Sequence, residues 1–308
     1  MRDRLLRKSI LTVADFAPVR WLFLKYGMKL GVDRFVAAET LPETLEKVRA
    51  LNGEGMHVTL DYLGENVLDS GQAEETAGII SRLFPAIDQL ELQANVSVKL
   101  TQLGLRIDPD LCLKHMERIL DEAAAYRNFV RIDMEDSSVT KETIAIFETL
   151  LQRYGPKRVG LVLQSYLYRS EQDVDEIGAG GTNLRIVKGA YREPPEVAYP
   201  DKKDVDAAYI RIVQAHLLNG GYAAVATHDR EIIDSIIRFT KKLGIPRDRF
   251  EFQMLYGIAG DLQRELVRAG YLVRIYMPFG RLWYPYFTRR IAERPANLWF
   301  VVKHMIRS

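Results

Sequence analysis

Beyond residue 50, short apolar runs rich in β-branched residues alternate with longer segments whose apolar positions recur every three or four residues. Eight of the short runs predict strands: HVTLDYLG from His57, NVSVKLTQL from Asn95, FVRIDME from Phe129, VGLVLQSY from Val159, LRIVKGAY from Leu184, AAVATHD from Ala223, RFEFQML from Arg249 and LVRIYMPFG from Leu272. A segment of helical period follows each. In LCLKHMERILDEAAAYR, for example, Leu111, Leu113, His115, Met116, Ile119, Leu120 and Ala123 gather near one face. VDAAYIRIVQAHLLNGG closes on the glycines expected past a helix C-terminus. Asp108-Pro109 and Thr140 read as helix starts. Eight β-then-α units in a row predict an α/β fold, a (β/α)8 TIM-like barrel of parallel strands with crossover helices. An open doubly wound sheet is the alternative, but no G-x-G-x-x-G follows the first strand. Residues 1–50 are expected to form a helical extension packed on a barrel of residues 51–308.

Composition narrows the function. With 47% hydrophobic residues in 308, the chain can bury a large core, which excludes disorder. Its 43 basic residues are offset by 41 acidic ones, so there is no electrostatic case for nucleic-acid binding. Cys112 is the only cysteine, which excludes an intramolecular disulfide and a cysteine-cluster metal site and fits a reducing compartment. No apolar run is long enough to span a bilayer, and the opening MRDRLLRKSI lacks the apolar stretch of a secretory leader. VRWLFLKYGMKLG, from Val19 to Gly31, is short, apolar and basic. It reads as a helix packed on the main body, with a membrane-surface or partner-binding face as the alternative.

The chemistry of such barrels sits at the C-terminal ends of the strands, and the polar residues fall there. They are Lys99, Asp133 and Glu135, Gln164, Arg185, Lys188 and Tyr191, Thr227, His228 and Asp229, Gln253, and Tyr276. Alternation along a strand lets Asp133 share a face with Glu135, and Arg185 with Val187 and Gly189. Singly, each has a structural explanation. Lys99 reads equally as a core ion pair with Asp133 or Glu135; His228 as a hydrogen-bonded core histidine; Gln164 and Gln253 as satisfying backbone groups; Tyr276 as packing. His228 has no second ligand at metal spacing, so no metal is expected. Gly189 marks either a tight strand end or close approach of a large ligand. Together, several cations with one or two carboxylates and a strand-end glycine describe an anion pocket. Neither a G-x-S-x-G elbow nor a P-loop supplies a nucleophile or phosphate cradle, which favours cofactor chemistry.

The strings VSVKLTQLG, RIDMED, LVLQSYLYR, LRIVKGAYRE, ATHD, FEFQMLYG, RIYMPFG and YFTRRIAERPAN, running from Val96 to Asn297, resemble flavin-dependent proline dehydrogenases in content and order. The chain's length is similar to that of single-function bacterial members. The resemblance implies a distorted (β/α)8 barrel holding FAD. It implies oxidation of L-proline to Δ1-pyrroline-5-carboxylate by hydride transfer from proline C5 to flavin N5, with a membrane quinone as electron acceptor. It also implies a cytoplasmic protein in peripheral contact with the inner face of the membrane. By the same resemblance, Lys99, Arg289 and Arg290 would hold the proline carboxylate. Tyr286 and Glu293, on the same helix, read as the side chains that support the two guanidiniums by packing and pairing. Asp133 would orient Lys99, and Arg185 would lie near flavin N5. Met134, Gln164, Val187, Lys188, Gly189, Thr227 and His228 would contact FAD. Tyr276 and Leu255 would wall the proline ring, Tyr276 favouring proline over hydroxyproline. Asp229 stands where relatives often have Asn, and Arg294-Pro295 also departs from the common pattern. Read from the residues alone, a flavin-free barrel enzyme and an inactive binding module for a small carboxylate or phosphate stay open.

Overall fold

A computed structural model of the chain describes residues 16–178 and 180–293. Its eight strands are β1 His57–Tyr62, β2 Ala94–Lys99, β3 Val130–Asp133, β4 Val159–Gln164, β5 Asn183–Val187, β6 Tyr222–Ala226, β7 Phe250–Leu255 and β8 Val273–Phe279. They close in sequence order into a barrel of parallel neighbours, with β8 returning to β1 in the register His57↔Arg274 to Tyr62↔Phe279. This is the (β/α)8 architecture that eight β-then-α units predict. The expected strands ran past Asp133, Val187 and Ala226, where the ladder in fact stops. Glu135 lies beyond the end of β3 and bonds Thr101, whereas Asp133 bonds Lys99 and Arg185, so the two do not share a face.

The helices are α1 Ala17–Tyr26, α2 Leu41–Gly53, α3 Ser70–Ser81, α4 Leu83–Gln89, α5 Pro109–Ala125, α6 Thr140–Tyr154, α7 Ser170–Ile177, α8 Lys202–Leu218, α9 Arg230–Leu243, α10 Gly260–Arg268 and α11 Tyr284–Glu293. Local chemistry sets their ends. The Asp108 carboxylate accepts the Asp110 N–H at 3.0 Å and Pro109 occupies the first turn of α5, where its missing N–H costs nothing. That helix buries Cys112, His115, Met116, Ile119, Leu120 and Ala123 as its period predicts. His115 sits on this apolar face because Leu103 O and Glu74 satisfy its ring nitrogens.

Period two divides each strand. Val58, Leu60, Val96, Val98, Val130, Ile132, Leu184 and Ile186 are fully buried in the main hydrophobic core. The alternate positions are Thr59 and Asp61, Ser97 and Lys99, Arg131 and Asp133, Arg185, Glu251 and Gln253, Arg274 and Tyr276. They are joined by hydrogen bonds between strands and across the barrel. The interior is therefore a polar network in place of stacked apolar layers.

The segment before β1 packs against the last described helix. Val32, Phe35 and Val36 pack with Trp283, Tyr284, Tyr286, Phe287 and Ile291 in a second apolar cluster. Phe23 of α1 lies 5.6 Å from the Phe287 ring, and Trp283 Nε1 donates to Glu39 at 2.8 Å. A Cβ at Gly27 would come within 2.5 Å of Trp283. Helix α11 is thus clamped from the N-terminal side. Elsewhere on α1, Trp21, Leu24 and Tyr26 are exposed. Among the described residues no helix is long and apolar enough to cross a membrane.

Candidate active site

A cavity of about 740 Å³ opens at the C-terminal ends of the strands. At its floor the Lys99 ammonium donates to Asp61 Oδ1 at 2.8 Å, Asp133 Oδ2 at 3.3 Å and the Tyr276 hydroxyl at 3.2 Å. Those three bonds use the three N–H donors of an ammonium, so a ligand reaching Lys99 must displace one of the longer two. The Tyr276 hydroxyl donates in turn to Asp133 Oδ2 at 2.7 Å. Burial opposes the charge on Lys99, but Asp61, Tyr276 and Asp133 hold its pKa well above the ordinary lysine value. Burial likewise opposes ionisation of Asp133, yet Lys99 and Arg185 keep its pKa below the usual carboxylate range. Asp61 goes the other way: burial, with the Asp133 charge adding, raises it despite Lys99. Burial and both carboxylates raise Tyr276, which stays a neutral donor.

Arg185, 3% exposed, spans the barrel. Its guanidinium donates to Asp133 at 2.8 Å, Ser97 Oγ at 3.1 Å and Gln253 Oε1 at 2.5 Å. The other end of the Gln253 amide donates to Glu251, which Arg274 Nε holds at 2.9 Å and 3.1 Å. A donor-only guanidinium above and an acceptor-only carboxylate below leave the Gln253 amide one orientation.

At the mouth, Arg289 and Arg290 of α11 both line the cavity, with the Arg290 guanidinium 5.5 Å over the Tyr286 ring. Arg289 pairs with Glu65, on the loop after β1. Tyr286 thus lies against Arg290, whereas the side chain of Glu293 lies outside the described residues, as do Arg294 and Pro295.

The remaining wall holds Met134, Gln164, Val187, Lys188, Gly189, Thr227, His228 and Leu255. Gln164 Nε2 donates to Glu135 O at 2.7 Å, and His228 Nε2 accepts the Leu255 N–H at 2.9 Å. Lys188 bridges Asp206 at 2.6 Å and Asp229 at 2.9 Å, and Lys202 joins the same two carboxylates. Gly189 has φ +118, and a Cβ there would come within 2.3 Å of the Tyr166 ring. The glycine is required by its backbone conformation and by packing on Tyr166. Loop residues Ala190 and Tyr191 complete this side, in the Pro-rich stretch before α8.

Every expected site residue except Glu293 thus lines one cavity. Asp61, Glu65 and Ser97, which bond to side chains of the site, had not been singled out. Asp61 carried a legible signal, a carboxylate within a strand and in alternation with Thr59. Glu65 carried none, because its partner is 224 positions away. A second cavity of about 580 Å³, at the opposite end of the barrel around His57, Asn128 and Arg274, contains none of the expected residues. Among the described residues no group of three or more His, Cys, Asp or Glu could hold a metal ion.

The family model described as proline dehydrogenase matches residues 44–303. A proline dehydrogenase of Deinococcus radiodurans is 45% identical over 310 residues, covering 100% of both chains. Proline dehydrogenase 1 of Bacillus subtilis strain 168 is 43% identical, covering 92% of this chain and 93% of its own. Among solved structures, proline utilization A (PutA) from Bdellovibrio bacteriovorus, inactivated by N-propargylglycine, superposes with a TM-score of 0.80 at 26% identity. That match covers 87% of this chain and 32% of the longer one.

Proposed function

The chain belongs to the proline dehydrogenase family and is an oxidoreductase that oxidises proline; we propose that it does so with FAD, yielding Δ1-pyrroline-5-carboxylate by loss of a hydride from C5. The observation that carries this reading is one cavity lined by three cations, Lys99 at its floor and Arg289 and Arg290 at its mouth, and by a larger mixed wall. The wall suits a flavin. It combines apolar Met134 and Val187 with polar Gln164, Lys188, Thr227 and His228, in a volume within the range of cofactor pockets. Those residues, with Gly189, would hold FAD, and Arg185 would face the part of the ring where charge develops. Bound there, FAD supplies the acceptor for the hydride that leaves proline.

The protein's own residues bind and orient. Arg289 and Arg290 offer planar guanidiniums to the proline carboxylate, and charge-assisted bonds of this kind fix a small rigid ring in one pose. Lys99 contributes a third cation, released from Asp133 or Tyr276 as the substrate carboxylate arrives. Asp133 balances the charge of Lys99 and Arg185. Tyr276 and Leu255 wall the ring, and Tyr276 leaves little space for a ring hydroxyl. Positioning of this kind is most of what hydride transfer asks of a protein. We take a membrane quinone as the onward acceptor and place the protein in the cytoplasm at the membrane surface. The exposed Trp21, Leu24 and Tyr26 of α1, beside Arg20 and Lys25, support peripheral contact with lipid.

Colour tests the reading. Purified protein is expected to carry flavin absorbance, bleached by L-proline in the absence of oxygen and much less by hydroxyproline. Protein that stays colourless and cannot be reconstituted with FAD would overturn it, as would a flavin that proline leaves oxidised.

A further inference from the structure

We propose that Glu135 and Thr101, neither of which lines the cavity, are positioning residues for the carboxylate end of the substrate, acting through the loop that carries Glu65. The proposal rests on the reading that Arg289 binds that carboxylate.

The geometry begins where β3 stops. Asp133 points into the cavity, but Glu135, 2% exposed, turns toward the end of β2. Its carboxylate accepts the Thr101 N–H at 3.0 Å and the Thr101 hydroxyl at 2.5 Å. Thr101, itself fully buried, accepts the Asn66 N–H on Oγ1 at 2.9 Å and the Val67 N–H on its carbonyl at 3.1 Å. A second brace runs parallel: Arg106 donates to Asn66 Oδ1 at 2.9 Å and to Asp136 Oδ2 at 2.7 Å. The two acids that follow Met134 thus hold one loop at neighbouring points.

That loop needs holding. Asn66 has φ +54, a left-handed conformation that costs a non-glycine residue about 1 kcal/mol and persists where its surroundings enforce it. The N–H that Thr101 captures belongs to the peptide directly after Glu65. Glu65 reaches across the mouth to Arg289, and the two form a partly buried pair. Loss of the Thr101 bond frees the backbone that aims Glu65, and with it the resting position of Arg289.

The donor count makes the link sensitive to the charge on Glu135. An ionised carboxylate accepts both Thr101 donors and leaves the hydroxyl's lone pairs to Asn66. A proton on the oxygen that accepts the Thr101 hydroxyl places two O–H donors in one short contact, so one of the two must turn away. Burial pushes the Glu135 pKa up to about 7, against the hydrogen bonds from Thr101 and the charge of Lys99. Glu65 opposes its ionisation from the loop after β1, and Tyr191 and Cys112 face it from the β5 loop and α5.

The experiment measures binding of cyclopentanecarboxylate, a ring carboxylate with no oxidisable C–N bond, by calorimetry on the flavin-loaded protein, beside KM and kcat for proline. Thr101→Val is expected to raise both Kd and KM roughly three- to tenfold, the net worth of one hydrogen bond, with kcat within about twofold of the parent. Thr101→Ser, which keeps the hydroxyl, restores both. In the parent, affinity weakens as pH falls from about 8 to about 6, and Glu135→Gln flattens that dependence. Thermal melts establish that each variant is folded; if Thr101→Val is not, the Glu135→Gln profile decides. Unchanged Kd in folded Thr101→Val, or an unaltered pH profile in Glu135→Gln, overturns the proposal while Arg289→Met still weakens binding. If Arg289→Met leaves Kd unchanged, the carboxylate assignment itself has failed.

Discussion

Lys99 and Asp61, on adjacent strands, meet at 2.8 Å with both side chains buried. Breaking a buried pair from one side leaves an uncompensated charge, which costs roughly 3–5 kcal/mol. Asp61→Asn is therefore expected to lower the melting temperature markedly. The surplus positive charge then gives an added carboxylate more to neutralise, so cyclopentanecarboxylate stabilises the variant more than it stabilises the parent. Melts with and without the ligand check this, and an equal or smaller ligand shift in the variant would contradict it.

The two arginines of α11 are expected to act on affinity. Arg289→Met and Arg290→Met each remove a carboxylate contact, so KM for proline rises at least tenfold in each, about 1.4 kcal/mol or more. Because Arg289 also pairs with Glu65, its removal leaves that partly buried acid without its cation. Arg289→Met should therefore also lose thermal stability, and Arg290→Met less. Steady-state kinetics and melts of the two variants test both statements; unchanged KM in both would refute the assignment.

Glu251 gives a pH prediction for stability. Burial alone would raise its pKa, but Arg274, Gln253 and Arg131 lower it to about 2. Its folded pKa lies below the ordinary glutamate value, so its contribution is fully present above about pH 4.3 and is lost as pH falls through about 2. The shift corresponds to something on the order of 3 kcal/mol. Urea unfolding at pH values from about 6 down to about 3 should show the parent losing stability, and Glu251→Gln, already destabilised, losing less over the same range. A parallel decline in both proteins would remove Glu251 as a source.

Gly189→Ala tests a backbone requirement at the cavity wall. A methyl group there meets the Tyr166 ring at 2.3 Å and forces a side chain onto φ +118. A loss of roughly 2 kcal/mol or more is expected, with weakened flavin retention. Chemical denaturation and flavin content after gel filtration measure the two effects. A variant as stable as the parent would mean that the loop after β5 shifts without cost.

Much of this molecule is legible in its sequence. The strands and their order follow from apolar periodicity, which is local, and eight repeats of one unit have one closed parallel arrangement. The strand-end positions of Lys99, Asp133, Arg185 and Tyr276 follow from the same counting. Even the burial of His115 belongs to a helix face that the sequence displays.

What sequence alone could not decide is which polar group meets which across the barrel. Lys99 was expected beside Asp133 or Glu135; it bonds Asp61 and Asp133, while Glu135 turns away to Thr101. Nor does any local signal tie Glu65 to Arg289 or Glu251 to Arg274. These pairs depend on the stagger of strands that closure imposes and on where the chain leaves each ladder. Periodicity, a property of neighbours in the chain, determined the frame and which residues face inward. Partners, a property of neighbours in space 23 to 224 positions apart, were decided only when the barrel closed.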